Sequence, residues 1–165
     1  MRKKLYFICP TDHLEMEIDR ITRVENFYFS SLANSIYLDQ ETVGQLSDLI
    51  ETHQIQEINL VLSDENLFWK DDLSFLEATK TKGIIEASKQ TKSKRKELRK
   101  HFEAEHLNDI VLKHFLKAKQ KEMQSRLPKW ISASLIFKSF LYVKQKRSLE
   151  RIRFDRLELL KFSLN

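Results

Sequence analysis

The sequence predicts an α/β fold: a single domain with a central, mainly parallel sheet flanked by helices, and a C-terminal strand or hairpin. Over the first 62 residues, short apolar runs alternate with helical patterns, which is typical of a parallel α/β sheet. The chain of 165 residues has only two glycines and two prolines. That is too few for a turn-rich sandwich or barrel, or for a glycine-rich phosphate loop.

Three short segments predict the first strands of the sheet. Residues 5–9 form a continuous apolar run that ends at Pro10, as expected for a strand buried on both faces. Residues 27–31 and 57–62 are the next two segments with strand-like composition. Their spacing leaves room for one helix between each pair of strands, which parallel pairing requires.

Two helices are predicted between these strands. Asp12 is a plausible N-cap for a helix that ends near Arg23. Asp39 is a plausible N-cap for a helix over residues 40–53, which carries a single apolar stripe.

The second half of the chain predicts helices followed by a strand-forming tail. Residues 67–78 have a helical pattern, and residues 80–104 form a basic polar connection that turns helical towards its end. A long helix is predicted over residues 105–127, ended by Pro128. The apolar tail, divided by a polar turn, should join the sheet as a strand or hairpin over residues 134–144 and 149–160.

Charge is distributed unevenly along the chain, whose net charge is +5. Residues 1–79 hold 6 basic and 15 acidic side chains, whereas residues 80–165 hold 23 basic and 9 acidic ones. This split favours an anionic partner for the second half, or a contact between the two halves within one chain or across a dimer.

Location and membrane association follow from cysteine usage and hydropathy. Cys9 is the one cysteine, so no intrachain disulfide can form and nothing calls for an oxidising compartment. No segment approaches the roughly 20 apolar residues of a membrane span. The expected location is the cytoplasm, with no membrane partner.

The ends of the first three predicted strands resemble those of the β-class carbonic anhydrase family. That family's first strand ends in Cys-x-Asp-x-Arg, where this chain has Cys9-Pro10-Thr11-Asp12-His13. Its second strand leads into Arg-Asn-Ala-Gly-Asn, and the matching segment is Phe29-Ser30-Ser31-Leu32-Ala33-Asn34. Its third strand ends in Gly-His-x-x-Cys, where this chain has Leu62-Ser63-Asp64-Glu65-Asn66-Leu67. The resemblance implies the family's fold and, because the family commonly pairs subunits, a homodimer.

The zinc ligands of that family are not retained. The family holds zinc with two cysteines and one histidine, beside an Asp–Arg pair. Here Asp64 stands at the histidine position and Leu67 at the second cysteine position, while His13 replaces the arginine and Asp12 is displaced by one residue. Zinc can activate a bound water only when protein side chains hold the metal. Because this ligand set is incomplete, we expect no zinc cofactor and no zinc-dependent carbonate dehydratase activity.

A different set of residues could still form a metal site at the ends of these strands. Cys9, His13 and Asp64 are expected at the carboxyl ends of neighbouring strands, where α/β sheets place ligands, and could form a non-standard metal site. The favoured alternative is that Cys9 is a small buried side chain and the other two are loop residues. The candidate vestigial site therefore comprises Cys9, Asp12, His13, Asn34 and Asp64, none with a catalytic role.

A basic stretch over residues 89–100 is the strongest local signal for a partner. Clustered cations suit phosphate contacts, but no aromatic residue is interleaved for base stacking. A solvated, mobile connection explains the stretch equally well. The candidate residues for binding a polyanion or nucleic acid are Lys92, Lys94, Arg95, Lys96, Arg99 and Lys100.

Together these features predict a non-catalytic binding, regulatory or structural protein on a β-carbonic-anhydrase-like scaffold. Two alternatives remain open at this stage. One is a metal-dependent, lyase-like enzyme with a rearranged site that uses Cys9. The other is a polyanion or nucleic-acid binder that acts through residues 89–100.

Overall fold

The structure is a computed structural model and describes residues 2–23, 26–70, 80–100 and 104–153. Within these residues the strands are β1 (Lys4–Ile8), β2 (Phe27–Ser30), β3 (Glu57–Ser63), β4 (Ile136–Val143) and β5 (Ser148–Arg151). The helices are α1 (Glu15–Thr22), α2 (Gln40–His53), α3 (Leu67–Lys70), α4 (Lys82–Leu98), α5 (Ala104–Arg126) and α6 (Lys129–Ser132). Short 3₁₀ turns, Pro10–Asp12 and Leu32–Asn34, follow β1 and β2.

The strands form one sheet in the order β2-β1-β3-β4-β5. Strands β2, β1, β3 and β4 are parallel, and Phe7 of β1 lies opposite Phe29 of β2 and Leu60 of β3. Strand β5 pairs antiparallel with β4 and closes the sheet as a hairpin. The predicted α/β class with a mainly parallel sheet and a C-terminal hairpin is confirmed.

Each strand directs alternate side chains to opposite faces of the sheet, and each face carries its own core. The larger core contains Phe7 and Leu60 and packs against side chains of α2, α4 and α5, such as Phe115. We call this side the helix face. The smaller core contains Ile8 and Val61 and is covered by residues of α1 and its approach; we call this side the α1 face.

Strand β3 is buried along its whole length because it is central and covered on both faces. This explains the apolar run Leu60–Leu62 at its centre, whereas the buried Glu57 is paired with Lys138. The predicted helix over residues 40–53 is also confirmed, with its cap. The Asp39 carboxylate accepts a 2.9 Å hydrogen bond from the Thr42 amide, one of the free donors at the start of α2.

The prediction that Asp12 caps the first helix is wrong. Asp12 lies in the 3₁₀ turn, and α1 begins two residues beyond His13, with no side-chain cap. The carboxylate of Asp12 bonds instead to residues that follow β3. A capping motif is local, so it gives no sign of a competing partner about fifty residues away.

The predicted polar connection over residues 80–104 is also wrong for most of its length, because Lys82–Leu98 form the regular helix α4. Its buried face is made mostly of small and polar residues at helical spacing, including Ala87, Ser88 and Thr91. Such a face is hard to recognise in a sequence rich in lysine. Its small side chains nevertheless allow α4 to pack closely beside α5. Residues 101–103 lie outside the described part.

The remaining predicted elements are found where the chain is described. Helix α5 confirms the long helix and ends before Pro128, while α3 represents the start of the helix predicted over residues 67–78. Residues 71–79 and the tail beyond residue 153 lie outside the described residues. No described helix is long and apolar enough to cross a lipid bilayer.

Candidate functional site

A cleft of about 510 Å³ opens at the carboxyl ends of β1, β3 and β4, on the α1 face. Its walls come from the turn after β1, from the segment after β3, from the β4–β5 turn and from Glu17 of α1. The position is the one expected for ligands of an open α/β sheet, beside the point where the strand order reverses between β1 and β3.

Asp12 lines this cleft and is held in place by hydrogen bonds to both of its carboxylate oxygens. Its two carboxylate oxygens accept hydrogen bonds from the Ser63 amide at 2.9 Å and from Nδ2 of Asn66 at 2.7 Å. Burial raises the pKa of Asp12 above the ordinary value, although these two hydrogen bonds pull it in the opposite direction. Asp12 thus ties the end of β1 to the end of β3.

Cys9 lies on the other side of the sheet. Its side chain is fully buried in the core of the helix face and does not line the cleft. The sulfur is 3.1 Å from Oγ1 of Thr11 and accepts a hydrogen bond from the Ala33 amide at 3.2 Å. These contacts place Cys9 as a packed core residue, which is the alternative that the sequence favoured.

Asn34 is buried between the two strands that flank the reversal point. Its Nδ2 donates hydrogen bonds to the carbonyl oxygens of Phe7, at 3.2 Å, and Val61, at 2.7 Å. These carbonyls belong to β1 and β3, so one side-chain amide bridges the two strand ends. Asn34 therefore ties the end of β1 to the end of β3.

His13 and Asp64 lie near Asp12 but away from Cys9. The positive charge of His13 lowers the pKa of Asp12, and the negative charge of Asp64 raises it. His13 is exposed, with a left-handed backbone, and Oδ1 of Asp64 accepts a 3.2 Å hydrogen bond from the Lys144 amide. The predicted set is thus split into a buried thiol and two exposed loop residues.

These residues do not fit a zinc ion. Leu67, which the sequence resemblance aligns with that family's second cysteine, is apolar and 62% exposed. Asp64 accepts a main-chain hydrogen bond, and the Cys9 sulfur is enclosed in the opposite core. Among the described residues no group of three His, Cys, Asp or Glu side chains is placed to hold a metal ion.

Several cleft residues were not identified from the sequence. Tyr142 of β4 lies opposite Ser63 of β3, and its hydroxyl donates to Oε2 of Glu17 at 3.3 Å. Lys144 forms a 2.9 Å ion pair with Glu65. Ser63 and Glu65 follow a predicted strand, and this position in the sequence could have indicated them as site residues. Tyr142 becomes a candidate only when β4 is known to lie beside β3.

The basic candidates fall on different sides of α4. Lys92, Lys96, Arg99 and Lys100 are exposed. Lys94 faces a groove between α4 and α5 and forms a 2.7 Å ion pair with Glu97.

Arg95 does not belong to the exposed basic surface for which it was a candidate, because its side chain is only 7% exposed. Its guanidinium donates to the carbonyl oxygen of Trp69 at 3.1 Å and to Oδ1 of Asn108 at 2.9 Å. Burial lowers the pKa of Arg95, and the neighbouring charge of Arg99 lowers it further. Arg95 therefore holds α3, α4 and α5 together.

No family profile matches this sequence, and neither does any curated protein. Solved structures do match. The β-carbonic anhydrase CafD of Aspergillus fumigatus superposes with a TM-score of 0.75 at 11% identity, over 93% of this chain and 90% of that chain. A β-carbonic anhydrase of Sordaria macrospora, described as tetrameric, gives 0.73 at 11% identity, over 93% and 81%.

A third match is the Coccomyxa β-carbonic anhydrase in complex with acetazolamide, with a TM-score of 0.67 at 12% identity, over 98% of this chain and 83% of that chain. Identities this low concern the fold alone. The chain has the fold of the β-carbonic anhydrases, as the ends of its first three strands predicted.

Proposed function

We propose that this protein is a non-catalytic binding protein built on the β-carbonic anhydrase fold. One observation carries the proposal: the residues that the sequence resemblance aligns with the family's zinc ligands belong to no group of three His, Cys, Asp or Glu side chains, among the described residues, that could hold a metal ion. The Cys9 sulfur lies in the core of the helix face, Asp64 is in a surface loop, and Leu67 has no ligating atom.

The hydrogen bonding of the cleft supports the same conclusion. Each oxygen of Asp12 accepts one hydrogen bond, from the Ser63 amide or from Asn66, and Asn34 donates both of its amide hydrogens to strand carbonyls. These polar groups hold the strand ends together, so the scaffold keeps its shape without the metal.

The decisive experiment measures metal content and hydration activity on the same sample. Protein purified without an affinity tag or chelator is analysed for elements, and CO₂ hydration is followed by stopped flow with and without added zinc. We expect zinc far below one ion per chain and hydration at the uncatalysed rate. The Cys9→Ser variant is the matched control, and its metal content should equal that of the parent protein.

A clear result would contradict the proposal. Close to one zinc per chain that disappears in Cys9→Ser, together with hydration above the uncatalysed rate, would establish a rearranged metal site. His13 and Asp64 would then be the next positions to replace.

We further propose that the protein self-associates in the cytoplasm. The Sordaria macrospora neighbour is tetrameric. On the α1 face, the apolar side chains of Phe140 and Leu149 pack against the smaller core but are only partly buried. The single buried thiol suits a reducing compartment. Light scattering after size exclusion should give a mass of two or more chains; one chain at every concentration would contradict self-association.

A further inference from the structure

Helix α4 carries a stripe of cations on the side opposite its packed face. Thr91, Arg95 and Leu98 are buried and fix which side of the helix faces the core. The exposed cations follow at intervals of three, four and three residues, the last of these at the C-cap of the helix, and one more cation comes directly after it. This basic stripe consists of Lys89, Lys92, Lys96, Arg99 and Lys100.

The spacing of the stripe is set by a regular helix, which holds Lys89, Lys92 and Lys96, and by its C-cap, Arg99. At about 1.5 Å per residue, the ten steps from Lys89 to Arg99 span about 15 Å. Within the described ranges, no carboxylate lies in ion-pair distance of Lys89, Lys96, Arg99 or Lys100. The charge of Arg99 also lowers the pKa of the buried Arg95, as expected where positive charge accumulates.

We propose that the basic stripe of α4 binds the phosphate backbone of a nucleic-acid duplex, without reading its bases. This inference rests on the proposed function, to which it adds a partner. Phosphate contacts need only clustered cations at a fixed spacing, and contacts of this kind set position but not sequence.

Other partners fit the stripe less well. Single strands are held by base stacking on aromatic side chains, and the stripe has none. A protein interface needs apolar or aromatic anchors at its centre, and those of α4 are turned into the core. For the same reason α4 has no free apolar face to insert into a lipid surface.

The test is fluorescence anisotropy with a labelled duplex of random sequence, about 20 base pairs long, in DNA and RNA forms. If roughly four phosphates are neutralised, the log–log salt slope should be near −4, and affinity should fall roughly 100-fold between about 50 and 200 mM salt. Replacing Lys89, Lys96, Arg99 and Lys100 together by Gln should weaken duplex binding at least tenfold and flatten the slope.

A matched variant removes the same net charge elsewhere. Replacing Lys3, Arg126, Lys129 and Lys146 by Gln alters four exposed cations outside α4 and should change affinity less than threefold. All eight side chains are exposed, and circular dichroism checks that both variants fold. The salt slope of the parent protein tests the proposal without any variant.

Several results would overturn the inference. Equal losses in both variants would mean attraction to net charge alone, without a site on α4. Equal affinity for a single strand, or for polyglutamate, would assign the stripe to a different class of partner. Absence of salt-dependent duplex binding by the parent protein would also reject it. None of these results alters the zinc and hydration measurements, so the two proposals fail independently.

Discussion

The ammonium group of Lys119 donates a 3.0 Å hydrogen bond to the main-chain carbonyl of Ile36, which lies 83 residues earlier in the chain. Lys119 is only 2% exposed, and its charge is balanced by Oε2 of Glu122 at 2.7 Å. Helix α5 thereby holds the segment that follows the turn Leu32–Asn34. That turn carries Asn34, so Lys119 anchors the segment directly after the residue that bridges β1 and β3.

Replacing Lys119 by Met should destabilise the protein by about 1–3 kcal/mol, because a buried carbonyl loses its donor while the packing volume is kept. Chemical denaturation measures the change in the free energy of unfolding. Lys121→Met, at an exposed position of the same helix, is the control and should stay within about 0.5 kcal/mol. Equal stability of the two variants would show that the buried ammonium contributes nothing.

The two glycines provide a matched pair of substitutions. A Cβ at Gly83 would lie 1.7 Å from the carbonyl oxygen of Ser35, whereas a Cβ at Gly44 would meet nothing within 4 Å. Both lie in helices, where Ala is favoured over Gly by roughly 0.5–1 kcal/mol. Gly44→Ala should therefore stabilise by about that amount.

Gly83→Ala should do the opposite and cost about 1–3 kcal/mol, because α4 must move away from the Ser35 main chain. Thermal unfolding of the two variants beside the parent protein is sufficient. A rise in melting temperature for Gly83→Ala would mean that α4 packs less closely on this segment than the structure has it.

Asp12 makes the free energy of unfolding depend on pH in a direction that can be predicted. Because burial raises its pKa above 3.8, the folded state holds this proton more tightly than the unfolded state. Protonated Asp12 therefore contributes its full stabilisation of the folded state below pH 3.8. This contribution is lost as the pH rises through the pKa of Asp12 in the folded state. The stability advantage of the parent protein over Asp12→Ala should therefore be larger near pH ~3 than near pH ~6.

Glu17 is the control of opposite sign. The hydrogen bond from Arg20 lowers the pKa of Glu17, so its contribution is lost as the pH falls. The advantage of the parent protein over Glu17→Gln should grow with pH, as urea denaturation at several pH values would show. If both variants changed in the same direction, the assigned surroundings of Asp12 would be wrong.

Arg95 and Lys96 are sequence neighbours with different expected effects. Arg95→Gln leaves the Trp69 carbonyl without its donor and should destabilise by about 1–3 kcal/mol. Lys96→Gln removes an exposed charge and should leave the free energy of unfolding within about 0.5 kcal/mol. Comparable denaturation midpoints for the two variants would contradict the burial of Arg95.

Much of the architecture was predictable because its signals are local. The apolar runs predicted β1 and β3, Asp39 predicted the start of α2, and Pro128 predicted the end of α5. Helix α4 was not predicted for most of its length, since five of its seven buried residues are small or polar and five lysines lie among them along the chain. Periodicity in an element identifies the core face only when that face is more hydrophobic than the rest.

The candidate site was predicted less well because its geometry depends on distant contacts. The sequence placed Cys9, Asp12 and His13 in one motif, but alternation along the strand and the turn after it sends Cys9 to one face and Asp12 to the other. Tyr142 joins the cleft only through the pairing of β4 with β3.

By itself, the sequence determined the α/β class, the order of the strands along the chain and the loss of a Cys₂His ligand set, since these depend on composition and local pattern. Only the tertiary structure decided which side chains meet. In the folded chain the Asp12 carboxylate accepts hydrogen bonds from Ser63 and Asn66, and Arg95 is buried while Lys96 is exposed to solvent. The physical reason is that hydrogen-bond partners and burial depend on neighbours across the sheet and between helices, which are far apart along the chain.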